Sequence, residues 1–296
     1  MIRRNKKIGV GTVTGSIILI LLALSMAIPI LNILAKSLTS PEKMGELSGL
    51  SVIPKGFTFQ NYEILFSNPA ITKSIGISVF LTVIGTILSL LLTALTAYVL
   101  TRSHFVGKSP LMVMLIILMV FEPGLIQEYF VVKDLGLLNS LWSVILYKTI
   151  DVYYLVIMMR FFEDIPDSIL ESAEIDGAGH WKKFTKIVLP LSKTPLAMMA
   201  LFYGVFRWNE FFRASIYLND PGKWPLAVLM RQFVVLGDNS AMLNTSGALP
   251  ASVLRTINFD SLRAGTIIVS IIPLILLYPV ILKFFTEGTM EGGVKE

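Results

Sequence analysis

From Ile75 to Leu100 the chain runs without a single charged residue, and Ala264 to Leu282 does the same. About 20 apolar residues in a helix cross the roughly 30 Å hydrocarbon core of a bilayer. A helix also satisfies its own backbone hydrogen bonds in lipid, so stretches like these restrict the chain to helical membrane architectures. A third uncharged stretch, Ile8 to Ala35, follows a basic start at Arg3, Arg4, Lys6 and Lys7. It is far longer than the about 7–15 apolar residues of a secretory signal, and no small-residue cleavage site follows it cleanly, so it reads as a retained first span. Composition agrees: 54% of the 296 residues are hydrophobic and 15% charged, against about 25% charged in an ordinary soluble domain.

Three more segments have the length of a span but carry groups that are costly in lipid. Leu111 to Val132 is apolar as far as Phe121 and then meets Glu122-Pro123-Gly124, Gln127 and Glu128. Leu138 to Phe162 contains Lys148, Asp151 and Arg160, and Val188 to Ser215 contains Lys193, Arg207, Glu210 and Arg213. The expected fold class is therefore an all-α membrane protein of six transmembrane helices. An even number puts both termini on one side. The basic start, the loop with Arg102, His104 and Lys108, and the segment 163–187 assign that side to the cytoplasm. Residues 1–74 form an N-terminal span with the first outer loop, and 75–296 form the core domain.

Several function classes drop out. Without cysteine there is no disulfide framework, thiolate metal site or cysteine nucleophile. His104 and His180 stand far apart with no second ligand at metal spacing, so no metal site is expected. The net charge of +5 is what basic cytoplasmic loops produce, and no aromatic–basic platform for nucleic acid accompanies it. Gly107-Lys108-Ser109 looks like the tail of a phosphate loop, but Arg102 stands where the motif needs glycine. No cofactor is expected on this chain.

Ionisable groups at membrane depth face a bundle interior or a wet cavity. Glu122, beside a proline and a glycine that break a helix, marks either a pathway lining or the outer end of the third span. The fifth span holds Phe206-Arg207-Trp208-Asn209-Glu210-Phe211-Phe212. Aromatic faces beside hydrogen-bonding side chains suit a sugar, while an interfacial aromatic belt with snorkelling arginines is the plainer alternative. The candidates for a translocation pathway are Glu122, Gln127, Tyr153, Trp208, Asn209 and Glu210.

The most informative segment is the cytoplasmic loop 163–190. Pro166 suits a helix start, Ser168 and Glu171 have capping-box spacing, and Ile165, Ile169 and Ala173 repeat along one face. Gly177-Ala178-Gly179 then ends the helix. A second helical stretch follows with Trp181, Phe184 and Val188 on one stripe, up to Pro190. Six acidic residues between Glu163 and Asp176 fit an anionic bilayer surface poorly, which favours a protein partner.

This segment resembles the EAA loop of membrane subunits in bacterial ATP-binding-cassette (ABC) importers: E-A-A, three residues, G, nine residues, then I-x-L-P. Glu171-Ser172-Ala173, Gly177 and Ile187-Val188-Leu189-Pro190 stand in those places, with Ser172 for the middle alanine. Gly136 to Ser140, Arg160 to Phe162, Asp176 to Ala178 and Trp208 to Phe212 are similar to the maltose-type carbohydrate permeases, and the ending from Tyr278 to a branch importing larger oligosaccharides. The resemblance covers the chain from about Ile75 onward.

It implies a type I ABC importer fold in the bacterial inner membrane and a non-catalytic permease for sugars or oligosaccharides. Coupling to the ATPase would run through Glu171, Ala173, Asp176, Gly177, Leu189 and Pro190. The implied partners are a second, homologous permease subunit in a heterodimer, two ATP-binding subunits that carry ATP and Mg, and an extracytoplasmic solute-binding protein. The last would meet the outer loop 217–262 at Trp224, Asn239 and Asn244, where Leu226, Leu229, Met230 and Phe233 suggest a short surface helix. Two alternatives stay open: a self-contained secondary transporter, which would want an internal repeat, and an ABC permease for a non-sugar solute. An intramembrane enzyme is disfavoured, since no H-E-x-x-H or paired aspartates occur.

Overall fold

The computed structural model describes residues 10–102, 105–121, 123–240 and 257–292. Among them every regular element is helical, and an isolated bridge joins Thr39 to Phe57. The chain divides into two compact units, residues 1–71 with 233–272 and residues 72–232 with 273–296.

In the first unit, α1 (Val10–Ser37) is apolar around its whole circumference, yet most of its large side chains are exposed among the described residues. An apolar helix with no protein cover needs lipid or a partner around it. Its end is tied down. Asn61 of α2 (Gln60–Ser67) donates its amide to the carbonyls of Ser37 and Thr39, both at 2.9 Å, and the Ser37 hydroxyl lies 2.7 Å from that of Tyr62. These bonds satisfy carbonyls that a helix C-terminus leaves open. The long last helix, α13 (Phe259–Gly292), begins in this unit, where Gly265 sits directly over Leu65.

The second unit is built on α3 (Pro69–Thr101), which enters it at Thr72. With it in this unit are α4 (Lys108–Val120), α5 (Leu125–Asp134), α6 (Leu141–Leu146), α7 (Val152–Glu163), α8 (Asp167–Ile175), α9 (His180–Leu191), α10 (Lys193–Asn209), α11 (Phe212–Tyr217) and, as far as Gln232, α12 (Leu226–Val235). One core joins Ala94 and Tyr98 of α3, Leu155, Met158 and Phe162 of α7, Leu170 of α8, Phe184 and Val188 of α9, and Met199 of α10. A second joins Leu81, Val144, Ile145, Ala214, Leu218 and Val228.

Among the described residues, three helices (α1, α3 and α13) are long and apolar enough to cross a membrane, and up to five spans result if each bent pair is one span. The pairs are α4 with α5, bent by 119°, and α9 with α10, bent by 82°. The first bend falls at Pro123-Gly124, as the helix-breaking residues require.

Leu138 to Phe162, expected as one span, is instead two helices, α6 and α7, separated by residues 147–151. The physical cause is in the break itself. The Asp151 carboxylate accepts the N–H groups of Tyr153 and Tyr154, at 3.0 and 3.4 Å, so it caps a new helix rather than continuing the old one. Lys148 takes a left-handed backbone, φ 46°, which an α-helix cannot pass through.

Candidate functional site

The loop of interest is α8, a tight turn, and α9. The Ser168–Glu171 capping box does not form, because Pro166 is the N-cap and Ser168 already lies inside the helix. At the other end the expectation holds. Gly177 has φ +74°, its N–H reaches the Glu174 carbonyl and that of Ala178 reaches Ala173, both at 2.9 Å. That pair of bonds is a Schellman ending, which needs a residue free to adopt the left-handed conformation. Ala173, the third residue of the run from Glu171, is therefore tied to Ala178, the eighth, across the turn that Gly177 makes.

The buried face differs from the expected Ile165–Ile169–Ala173 stripe. Ile165 and Leu170 enter the core with Ala178, while Ile169 is exposed and Ala173 half-buried. In α9, Phe184 and Val188 are buried but Trp181 lies over Phe184 with 68% of its surface open. Leu170 docks α8 and Tyr98 braces α9, its ring centre 5.1 Å from that of Phe184 at a tilt of 47° and its hydroxyl donating to the His180 carbonyl at 3.2 Å. Lys183, itself buried, reaches Glu174 across the turn at 2.7 Å. What remains outward is Glu171, Ile175, Asp176, Gly177 and Trp181, with Ile175 88% exposed. A rigid knob with an apolar tip amid carboxylates is a protein-docking surface in its chemistry. Leu189 is half-buried and Pro190 exposed, both in the last turn of α9.

A cavity of about 590 Å³ opens in the second unit. Its walls are α4, α5 and the break between α6 and α7. Gln127 and Tyr153 line it, with Pro123, Glu128, Tyr147, Lys148 and Asp151. Irregular backbone at membrane depth is tolerated where it lines such a space. Amide, carboxylate, ammonium and phenol groups over an apolar floor are the mixture that a polyhydroxylated ligand needs.

Of the other expected pathway residues, Trp208, Asn209 and Glu210 are not among the residues lining this cavity. Asn209 returns its amide to the Val205 carbonyl, at 2.8 Å, within α10. Glu210 caps α11 by accepting the Arg213 N–H at 2.8 Å. Trp208 is half-buried on α10. Glu122 and Asn244 lie outside the described residues. Trp224 donates to the Leu218 carbonyl at 2.9 Å and packs on the second core, and Asn239 accepts from Arg263 at 3.0 Å. The expected helix near Leu226 is α12, with Leu226, Leu229 and Phe233 buried.

Sequence reasoning missed the partner of Arg213, which is not a snorkelling arginine but is paired with Glu128 at 2.9 Å. The signal available was weak: one cation and one carboxylate in separate apolar segments.

The profile of the family described as "Binding-protein-dependent transport system inner membrane component" matches residues 74–290. The polygalacturonan/rhamnogalacturonan transport system permease protein YtcP of Bacillus subtilis is 40% identical over 282 residues, covering 94% of this chain and 95% of its own length. Protein LplC of the same organism is 37% identical over 270 residues, covering 90% and 89%. In a crystal structure of a bacterial ABC transporter involved in the import of the acidic polysaccharide alginate, one chain superposes with a TM-score of 0.85 at 25% identity. That superposition covers 96% of this chain and all of the other.

Proposed function

The chain belongs to the family of binding-protein-dependent transport system inner membrane components, and on that premise we propose that it is the gating half of an oligosaccharide importer. It pairs with a second, homologous permease, and two ATP-binding subunits drive the pair. The substrate class is oligosaccharide, with uronate-bearing fragments the first to test, since two of the similar proteins are named for acidic polysaccharides. The chain crosses the membrane six times with both termini in the cytoplasm. The broken α6–α7 segment counts as one crossing, and each bent pair as another.

The observation that carries this reading is the exposed knob at Glu171–Gly177, held by a Schellman turn and presenting Ile175. ATP-driven closure of the nucleotide-binding subunits displaces this knob, and the displacement opens the cavity toward a solute-binding protein on the outside. Glu171, Ala173, Asp176, Gly177, Leu189 and Pro190 form the contact with the ATPase. Gln127 and Tyr153 contact the sugar, and the outer loop containing Trp224 and Asn239 meets the receptor.

The test is reconstitution of the four membrane-associated subunits and the receptor in liposomes. ATP-dependent accumulation of an oligogalacturonide supports the reading. Uptake that proceeds from an ion gradient without ATP, or hydrolysis that never responds to loaded receptor, rejects it.

A further inference from the structure

The cavity's irregular wall, residues 147–151, is anchored at both ends by two side chains of one helix face. Tyr203 and Arg207 stand one turn apart on α10 and so project the same way. Tyr203 is fully buried. Its hydroxyl accepts the N–H of Asp151 at 3.1 Å and lies 2.7 Å from the hydroxyl of Thr93 on α3. Arg207, 3% exposed, donates from Nη1 to the Val144 carbonyl at 2.6 Å and from Nη2 to the Ser89 hydroxyl at 3.2 Å. Val144 is in the last turn of α6, and Asp151 is the N-cap of α7. The two side chains therefore grip the two lips of the break, while the residues between line the cavity on its other side.

A buried guanidinium whose described hydrogen bonds all go to neutral oxygens is expensive in a membrane segment. Its Nε has no hydrogen-bond partner among the described residues. An apolar side chain would fill the space at less cost, so packing alone does not account for it. The room for it is specific too: Gly85 of α3 faces it so closely that a Cβ there would lie 3.0 Å from Arg207 Cδ and Nε.

The same helix follows the cytoplasmic knob directly in the chain, across the 82° bend between α9 and α10. α9 passes into α10 through buried Ser192, whose N–H bonds back to Val188 and Leu189 at 3.0 and 3.2 Å. We infer that Tyr203 and Arg207 are the positioning residues through which displacement of the coupling loop moves the α6–α7 wall of the cavity. This rests on the reading of the chain as an ATP-driven importer subunit. When α10 tilts, a rigid pair of polar grips carries both lips of the break with it. A purely apolar contact would let them slide.

The experiment uses the complete complex with its receptor in liposomes and measures sugar moved per ATP hydrolysed. Tyr203→Phe keeps the ring and removes both hydroxyl bonds, Arg207→Met removes the grip on Val144, and Gly85→Ala pushes the guanidinium aside. Each is expected to leave receptor-stimulated hydrolysis within about twofold and to lower the transport-to-hydrolysis ratio about fivefold or more. Arg207→Lys, which keeps one donor, should recover part of that ratio. A merely structural role lowers the amount of assembled complex, so hydrolysis and uptake fall together at constant ratio, and that result overturns the inference. A wild-type complex that hydrolyses ATP without moving sugar would sink the importer reading and this link with it. An unchanged ratio in variants of an active complex sinks the link alone.

Discussion

Arg213 directs both Nε and Nη2 at one carboxylate oxygen of Glu128, at 3.0 and 2.9 Å, and its guanidinium lies 4.6 Å from the centre of the Tyr147 ring. The pair joins α5 to α11 beside the cavity, so the bent α4–α5 segment is fixed by charge as well as by packing. Removing one partner of a fully buried pair costs about 3–5 kcal/mol. Here the side chains keep 21% and 14% exposure, and water screens part of the loss. Glu128→Ala should cost about 2 kcal/mol, read as an earlier thermal transition of the detergent-solubilised complex. The exchange of Glu128→Arg with Arg213→Glu should recover more than half of that shift.

Gly177→Ala places a side chain at φ +74°, a conformation that costs an L-residue about 1–2 kcal/mol. The strain loosens the turn that joins α8 to α9 without touching a spanning helix. Membrane insertion should be unchanged, while co-purification of the ATP-binding subunits falls several-fold. Equal recovery of the ATPase with both proteins would contradict the docking role.

A Cβ on Gly265 would stand 2.7 Å from Leu65 Cδ1, and Leu65 is fully buried with little room to retreat. Overpacking of this kind costs about 1–3 kcal/mol. Gly265→Ala should therefore lower the thermal transition, and adding Leu65→Ala should restore part of it. A double variant no better than the single one would show that the closeness is not the cause.

Asp151→Ala removes the cap of α7 and should cost about 1 kcal/mol, whereas Asp151→Ser keeps an acceptor and costs less. Tyr153 is mostly exposed to the cavity, so Tyr153→Ala should raise the sugar concentration needed for half-maximal uptake at unchanged thermal stability. Uptake kinetics and a melting curve on the same preparation separate the two residues.

How much was legible follows from how local each signal is. The Gly177 turn was readable because the left-handed requirement belongs to one residue and its immediate neighbours. The fourth span was misread as continuous because average hydropathy over Leu138–Phe162 absorbs Lys148 and Asp151 without showing that they act together to break the helix. The capping box failed for a similar reason: Ser168 and Glu171 have the right spacing, but Pro166 starts the helix earlier. Ile169 and Leu170 are both apolar, and only docking against α7 and α9 chose Leu170 for the core.

The sequence by itself determined that the chain is helical and lives in a membrane, and it located the knob between residues 163 and 190. Those properties follow from transfer of side chains out of water and from single-residue backbone preferences, which add along the chain. The tertiary structure alone decided which polar groups meet: Arg213 with the Glu128 carboxylate, 85 residues away, and Arg207 with the Val144 carbonyl, 63 residues away. In a low-dielectric interior a polar group is tolerated only where a partner is brought to it. That partner is selected by how the helices pack, and no local pattern records it.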